Sequence, residues 1–214
     1  MAQESPQAQT LYILGDFFEY WIGDDVMDDF HQLIADRLRA LTEAGVALFF
    51  MPGNRDFLIG NTFCQQIGGT LLSDPTLITL GSEPVLLMHG DSLCTRDTDY
   101  MRFRRVVRNP LIQRLFLALP KRFRRNIAQK LRHNSRTSAR QKPMMLMDVT
   151  DTAVTESLLS HRVKTLIHGH THRAYMHELP NQCQRIVLGD WDKLGWYLRH
   201  DRHGFELVNF PIHR

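Results

Sequence analysis

Three histidines, His168, His170 and His172, stand at alternate positions in the stretch from Ile167 to Arg173. Neutral imidazole is the commonest protein ligand for a transition metal, and Gly169 leaves room for close approach. In an extended segment, residues at i, i+2 and i+4 point to one side, so this spacing predicts imidazoles converging on one point. One segment does not complete a site. Three further polar groups share the same setting, directly after a β-like run: Asp16 after residues 11–14, Asn54 after 46–51 and His89 after 84–88. Open α/β sheets place their ligands at the carboxyl ends of strands. Carboxylate, amide oxygen and imidazole form a mixed N/O set that suits Mn²⁺, Fe²⁺ or Zn²⁺. Two such ions about 3.5–4 Å apart would activate water and clamp a phosphoryl group, with Asp16 the natural bridging carboxylate. Arg55, next to Asn54, offers a planar cation to phosphate. Cys64, Cys94 and Cys183 lack the paired spacing of a thiolate zinc site, and their odd number argues for reduced thiols.

The elements that must position these groups follow from the apolar pattern. Residues 11–14 read as a buried, central parallel strand and 46–51 as the next. Helical spacing of Phe30, Leu33, Ile34, Leu38 and Leu41 predicts a helix over 28–44, stopped by Gly45. A weak helix is expected over 62–67, and two strands over 76–80 and 84–88 joined by a turn at 81–83. Residues 147–161 read as a helix with Val154, Leu158 and Leu159 inward. Residues 163–167 are the strand that delivers the histidines. Residues 175–179, 184–188, 195–199 and 205–210 read as a closing antiparallel set.

The charge is unevenly spread. The 214 residues carry a net +3, but residues 96–142 hold 15 Lys/Arg and 2 Asp, a local +13 against −10 elsewhere. The pattern there predicts helices over 100–107 and 121–133, a break at Asn109-Pro110, and a polar, flexible stretch at 134–142. Such a segment suits an anionic partner. No stretch approaches 18 uncharged apolar residues, so no transmembrane helix is expected. The first ten residues lack the basic start and apolar core of a secretory signal.

Gly15-Asp16-x-x-Glu19, Gly53-Asn54-Arg55-Asp56, His89-Gly90-Asp91 and Gly169-His170-Thr171-His172 resemble the calcineurin-like dinuclear metallophosphoesterases. Longer matches over 11–16, 21–25, 53–58, 88–95, 167–173 and 187–189 resemble the branch of that family that hydrolyses an acylated UDP-sugar. The resemblance spans nearly the whole chain. It implies an α/β sandwich of two mixed sheets flanked by helices, a single domain over 1–214 and a helical, lipid-binding cap inserted at 96–147. It implies cleavage of the diphosphate of UDP-2,3-diacylglucosamine by metal-activated water, with Mn²⁺, in lipid A biosynthesis. One ion would be held by Asp16, Asn54, His89 and His170, and a second by Asp16 and His172 with further ligands. Asp16, Asn54, Arg55 and His89 would serve catalysis. Asn54, Arg55, Asp97, Ser135, Lys142 and His170 would contact substrate. His168 is expected to be a buried support rather than a ligand.

The pattern departs at Ala139, where the family has Asn, at Asp190, where a small residue is expected, and at the front. The family's opening strand with Asp-x-His has no counterpart before Asp16, so the first β-α unit is expected to be absent and the second metal position incomplete. The implied setting is the cytoplasmic face of the inner membrane, as a peripheral protein, with no nucleic acid partner. The alternatives are a nucleotide pyrophosphatase of the same superfamily with a soluble substrate, or a non-catalytic protein using the +13 segment on nucleic acid.

Overall fold

The structure, a computed structural model, describes residues 8–141 and 146–212, without the side chains of 136 and 138–141. The chain divides into two compact units, Met1–Ser73 with Arg102–Lys142 and Asp74–Met101 with Pro143–Arg214.

The first unit contains a parallel sheet of β1 (Thr10–Ile13), β2 (Ala47–Phe50) and the two-residue β3 (Thr70–Leu71), in that order. β1 is parallel, as its sequence predicts, but lies at the end of the sheet among the described residues. Leu11 and Tyr12 on it are only half-buried. β3 escaped the sequence pattern because two residues carry no periodicity. α1 (Asp29–Glu43) opens at Asp28, whose carboxylate accepts the His31 N–H at 3.0 Å, and closes at Ala44 before Gly45. Its buried stripe is narrower than the spacing suggests: Ala35 and Leu38 are buried while Phe30 and Leu33 face solvent. α2 (Asn61–Gln66) follows, and Phe18, Trp21, Phe50 and Phe63 form an aromatic core in edge and tilted contacts.

The basic segment is helical: α3 (Thr98–Val107), α4 (Pro110–Leu117) and α5 (Lys121–Gln141). Asn109 caps α4 by accepting the Leu111 N–H at 2.9 Å, and Pro110 sits in the first turn, where its missing donor costs nothing. α5 continues through 134–141, which the sequence predicts to be flexible. That stretch holds no Gly or Pro, so nothing in it stops a helix already under way. No described helix is long and apolar enough to cross a membrane.

In the second unit, β4 (Thr76–Leu80), β5 (Glu83–Met88), β6 (Thr165–His168), β7 (Tyr175–Leu179) and β8 (Cys183–Val187) form a sheet in the order β4-β5-β6-β8-β7. β5, β6 and β8 run parallel, and the two outer strands are antiparallel to their neighbours. The predicted closing antiparallel set therefore divides. β8, whose Ile186 and Val187 are buried, is an interior strand, and only β9 (Leu194–Asp201) and β10 (Gly204–Pro211) form a separate hairpin. α6 (Asp151–His161) is capped by Thr150 and buries Val154 and Leu158. Leu159 is exposed rather than inward, because it lies one helical step, about 100°, beyond Leu158.

Candidate functional site

In the first unit the ends of β1 and β2 are tied together by Asp56. Its fully buried carboxylate accepts backbone N–H bonds from Gly53 (2.6 Å), Phe17 (2.8 Å), Asp16 (3.2 Å) and Phe18 (3.3 Å). This fixes the two loops that carry Asp16 and Asn54. Asp16 is held in the left-handed region, φ 55°, and accepts the Arg55 N–H at 2.9 Å. Arg55 also sets its Nε 3.3 Å from Asp16 Oδ2 and its Nη1 3.3 Å from Glu19 Oε1. The other oxygen of Glu19 takes Nε and Nη2 of Arg132, from α5, at 2.9 and 2.5 Å. The sequence motifs contain Asp56 and Glu19 but give them no role.

Other cations of the basic segment are also engaged inside this unit. Arg124, 3% exposed, donates to Ile22 O at 2.6 Å and to both oxygens of Asp25 at 2.8 and 2.5 Å. Hydrogen bonding to Arg124 holds the Asp25 carboxyl below the usual carboxylate range. Gly23, at φ +120°, leaves the space this guanidinium occupies, since a Cβ there would meet Arg124 Nη1 at 2.5 Å. Arg108 donates to Gly53 O at 2.9 Å, and Lys121 to Asp25 O at 2.6 Å. Part of the +13 is thus a docking device rather than a free surface. The same helices expose Phe103, Val106, Leu111, Leu115, Phe123 and Leu131.

In the second unit β6 ends at His168, and the histidine stretch is not an extended ladder. His170 and His172 lie in the left-handed region, φ 62° and 57°, so the alternation rule that suggested convergence does not apply to them. His89 is fully buried, and its ring lies 5.2 Å from that of His170, at 71° between planes. Tyr100 stacks on His170 at 6.1 Å and donates its hydroxyl to Asp91 at 2.6 Å. His168 is wholly buried and its Nδ1 lies 2.9 Å from Gly169 O. Burial pushes its pKa down to about 3, as fits a neutral support. His172 Nδ1 lies 3.9 Å from Asp190, one of the positions where the family pattern is broken.

Of the remaining expected substrate contacts, Asp97 accepts the Tyr100 N–H at 3.1 Å in the first turn of α3, and Ser135 is exposed on α5. Lys142 lies outside the described residues, as does the side chain of Ala139.

Six non-glycine residues among those described have positive φ. Arg162 closes α6 and Asn181 and Gln182 make the β7–β8 turn, where such geometry is routine. The other three are Asp16, His170 and His172. Left-handed backbone costs about 1–2 kcal/mol per non-glycine residue, and it collects at sites where function over-determines the chain. Within the second unit, His89 and His170, with His168 buried and held neutral beside them, are donors that suit a borderline divalent ion, and within the first, Asp16 and Asn54 offer oxygen donors.

A family model for calcineurin-like phosphoesterases matches residues 2–174, and the chain belongs to that family. Within it, the chain is 53% identical over 99% of its length, and 90% of the relative's, to a protein of Stutzerimonas stutzeri named UDP-2,3-diacylglucosamine hydrolase. Relatives of the same name from Pseudomonas putida and Azotobacter vinelandii are 53% and 52% identical over 96% and 99% of this chain, which spans 87% and 89% of theirs.

Proposed function

We infer that this chain is a metal-dependent hydrolase that cleaves the diphosphate of UDP-2,3-diacylglucosamine, releasing UMP and 2,3-diacylglucosamine 1-phosphate in lipid A biosynthesis. High identity over nearly the full chain to relatives of that name supports the substrate. The observation that carries the chemistry is the strained backbone at Asp16, His170 and His172, each directly beyond a strand.

In this reading Asp16, Asn54, His89 and His170 would hold one ion, and Asp16 and His172 would contribute to a second. When bound, a divalent ion such as Mn²⁺ would lower the pKa of water and act as a Lewis acid toward the phosphoryl oxygens. The protein's own part is electrostatic and positional. Arg55 neutralises charge developing on the phosphoryl group, and its guanidinium is pre-oriented by Glu19, so little reorganisation accompanies the reaction. Burial of His89 keeps one ligand imidazole in a single orientation before substrate arrives. Asp97, Ser135 and Lys142 contact the diphosphate and sugar. The exposed apolar side chains of α3, α4 and α5, set among cations, receive the acyl chains and hold the protein on the anionic face of the inner membrane.

Release of UMP from UDP-2,3-diacylglucosamine, with and without Mn²⁺, tests the reading. We expect metal-dependent release that falls by about 10³-fold or more in Asp16→Asn. Equal release from a UDP-sugar without acyl chains would point to a soluble substrate. No release at all, with Mn²⁺ present and the chain folded, would sink the assignment.

A further inference from the structure

The second unit contains a cavity of about 310 Å³ that the chemistry above does not use. Its floor is one face of the β7–β8 pair. Arg185 and His177 are directly opposed in the antiparallel register, and Tyr175 and Val187, two residues along, share that face. Thr171 and Arg173, from the loop after β6, and Asp148, ahead of α6, complete the wall.

Three features mark it as built for an anion. Arg185 is half-buried and makes no hydrogen bond among the described residues, and burial lowers its pKa against the opposing pull of the Asp148 and Asp151 carboxylates. Those carboxylates give it charge but no hydrogen bond, so its guanidinium donors are left for a ligand. Thr171 Oγ1 is buried and also has no hydrogen-bond partner. Arg173 adds a second guanidinium, paired with Asp148 through Nη1. The volume exceeds what a bare oxyanion needs and reaches the range of small-molecule sites.

We propose that this cavity binds a phosphate monoester, with Arg185 as its principal cation and the Thr171 hydroxyl as a donor. The choice of monoester rests on the hydrolase reading, whose two products, UMP and a sugar 1-phosphate, are both of this class. A planar guanidinium pairs two phosphate oxygens at once, and a dianionic monoester supplies the acceptors that the Arg185 donors lack.

Calorimetric titration of the whole chain in the presence of chelator separates this site from any metal-held phosphate. The probes are UMP and glucosamine 1-phosphate. We expect saturable binding of at least one, weakened about tenfold or more in Arg185→Gln. Preference for UMP assigns the nucleotide product, and preference for glucosamine 1-phosphate the sugar product. Arg185→Gln should melt close to the parent, because it removes a half-buried side chain that makes no hydrogen bond among the described residues. Should it not fold, Arg185→Lys, which keeps the charge without the fork, carries the test with a loss of about threefold or more. Unchanged affinity in the variant, or no binding of either probe, overturns the proposal. Binding is read without turnover, so failure of the hydrolase reading and failure of the pocket give different results.

Discussion

The two units hold their candidate ligands by different means. In the first, a side chain does it: Asp56 gathers four backbone donors from two loops, and Glu19 and Arg132 brace Arg55. In the second, backbone shape and burial do it. His170 and His172 sit in left-handed conformations, Gly90 turns at φ 113°, and His89 and His168 are fully buried. The first arrangement concentrates its dependence on single carboxylates. The second spreads it over a chain path that tolerates no extra atoms.

Three substitutions would break or sharpen this contrast. The largest expected effect is at Asp56. Asp56→Ala leaves four donors without their shared acceptor, and we expect a loss of at least about 3 kcal/mol in denaturant unfolding, together with most activity. Stability near the parent's would show that the first unit is not organised by that carboxylate. Next is Gly90→Ala, where a Cβ would lie 2.8 Å from His168 Nδ1 at a backbone angle L residues rarely adopt. A loss of about 1–3 kcal/mol is expected by the same measurement. A neutral result would mean the second unit's loops yield more readily than their strain implies. The smallest stability effect is expected for Glu19→Gln, at a half-exposed carboxylate where ion pairs are worth under about 1 kcal/mol. Its signature should instead be kinetic, a several-fold fall in kcat with the melt unchanged, because Arg55 loses its orienting charge.

How far the sequence foretold this differs by the kind of signal. β2, β4, β5, α1, α2, α3, α6 and the first part of α5 carry periodicity that local reading captures, whereas α4 follows a stretch read only as a break and α5 runs on through residues expected to be flexible. Among the described residues β1 lies at an end of its sheet rather than centrally, and the single antiparallel set expected for 175–210 divides, because strand order is set by partners distant in sequence. β8 joins β6 across the intervening β7, which no local pattern announces. At the site, residue types and their placement after strands were legible. The left-handed backbone at His170 and His172 was not, since neither is a glycine or asparagine that advertises it. The basic segment was legible as charge but not as docking, because only coordinates tell a solvated arginine from one facing a carbonyl.

That docking bears on how such a segment can be exchanged between relatives. Arg108, Lys121, Arg124 and Arg132 each end on an oxygen between residues 19 and 53, so helices and loops form one recombination block. A chimaera that swaps 102–142 alone would orphan Ile22 O and Gly53 O on the retained side. It would also bring in cations matched to another protein's loops. Changes of specificity in this part of the chain should therefore travel as whole-unit substitutions, with Gly23 and Asp25 inherited alongside Arg124.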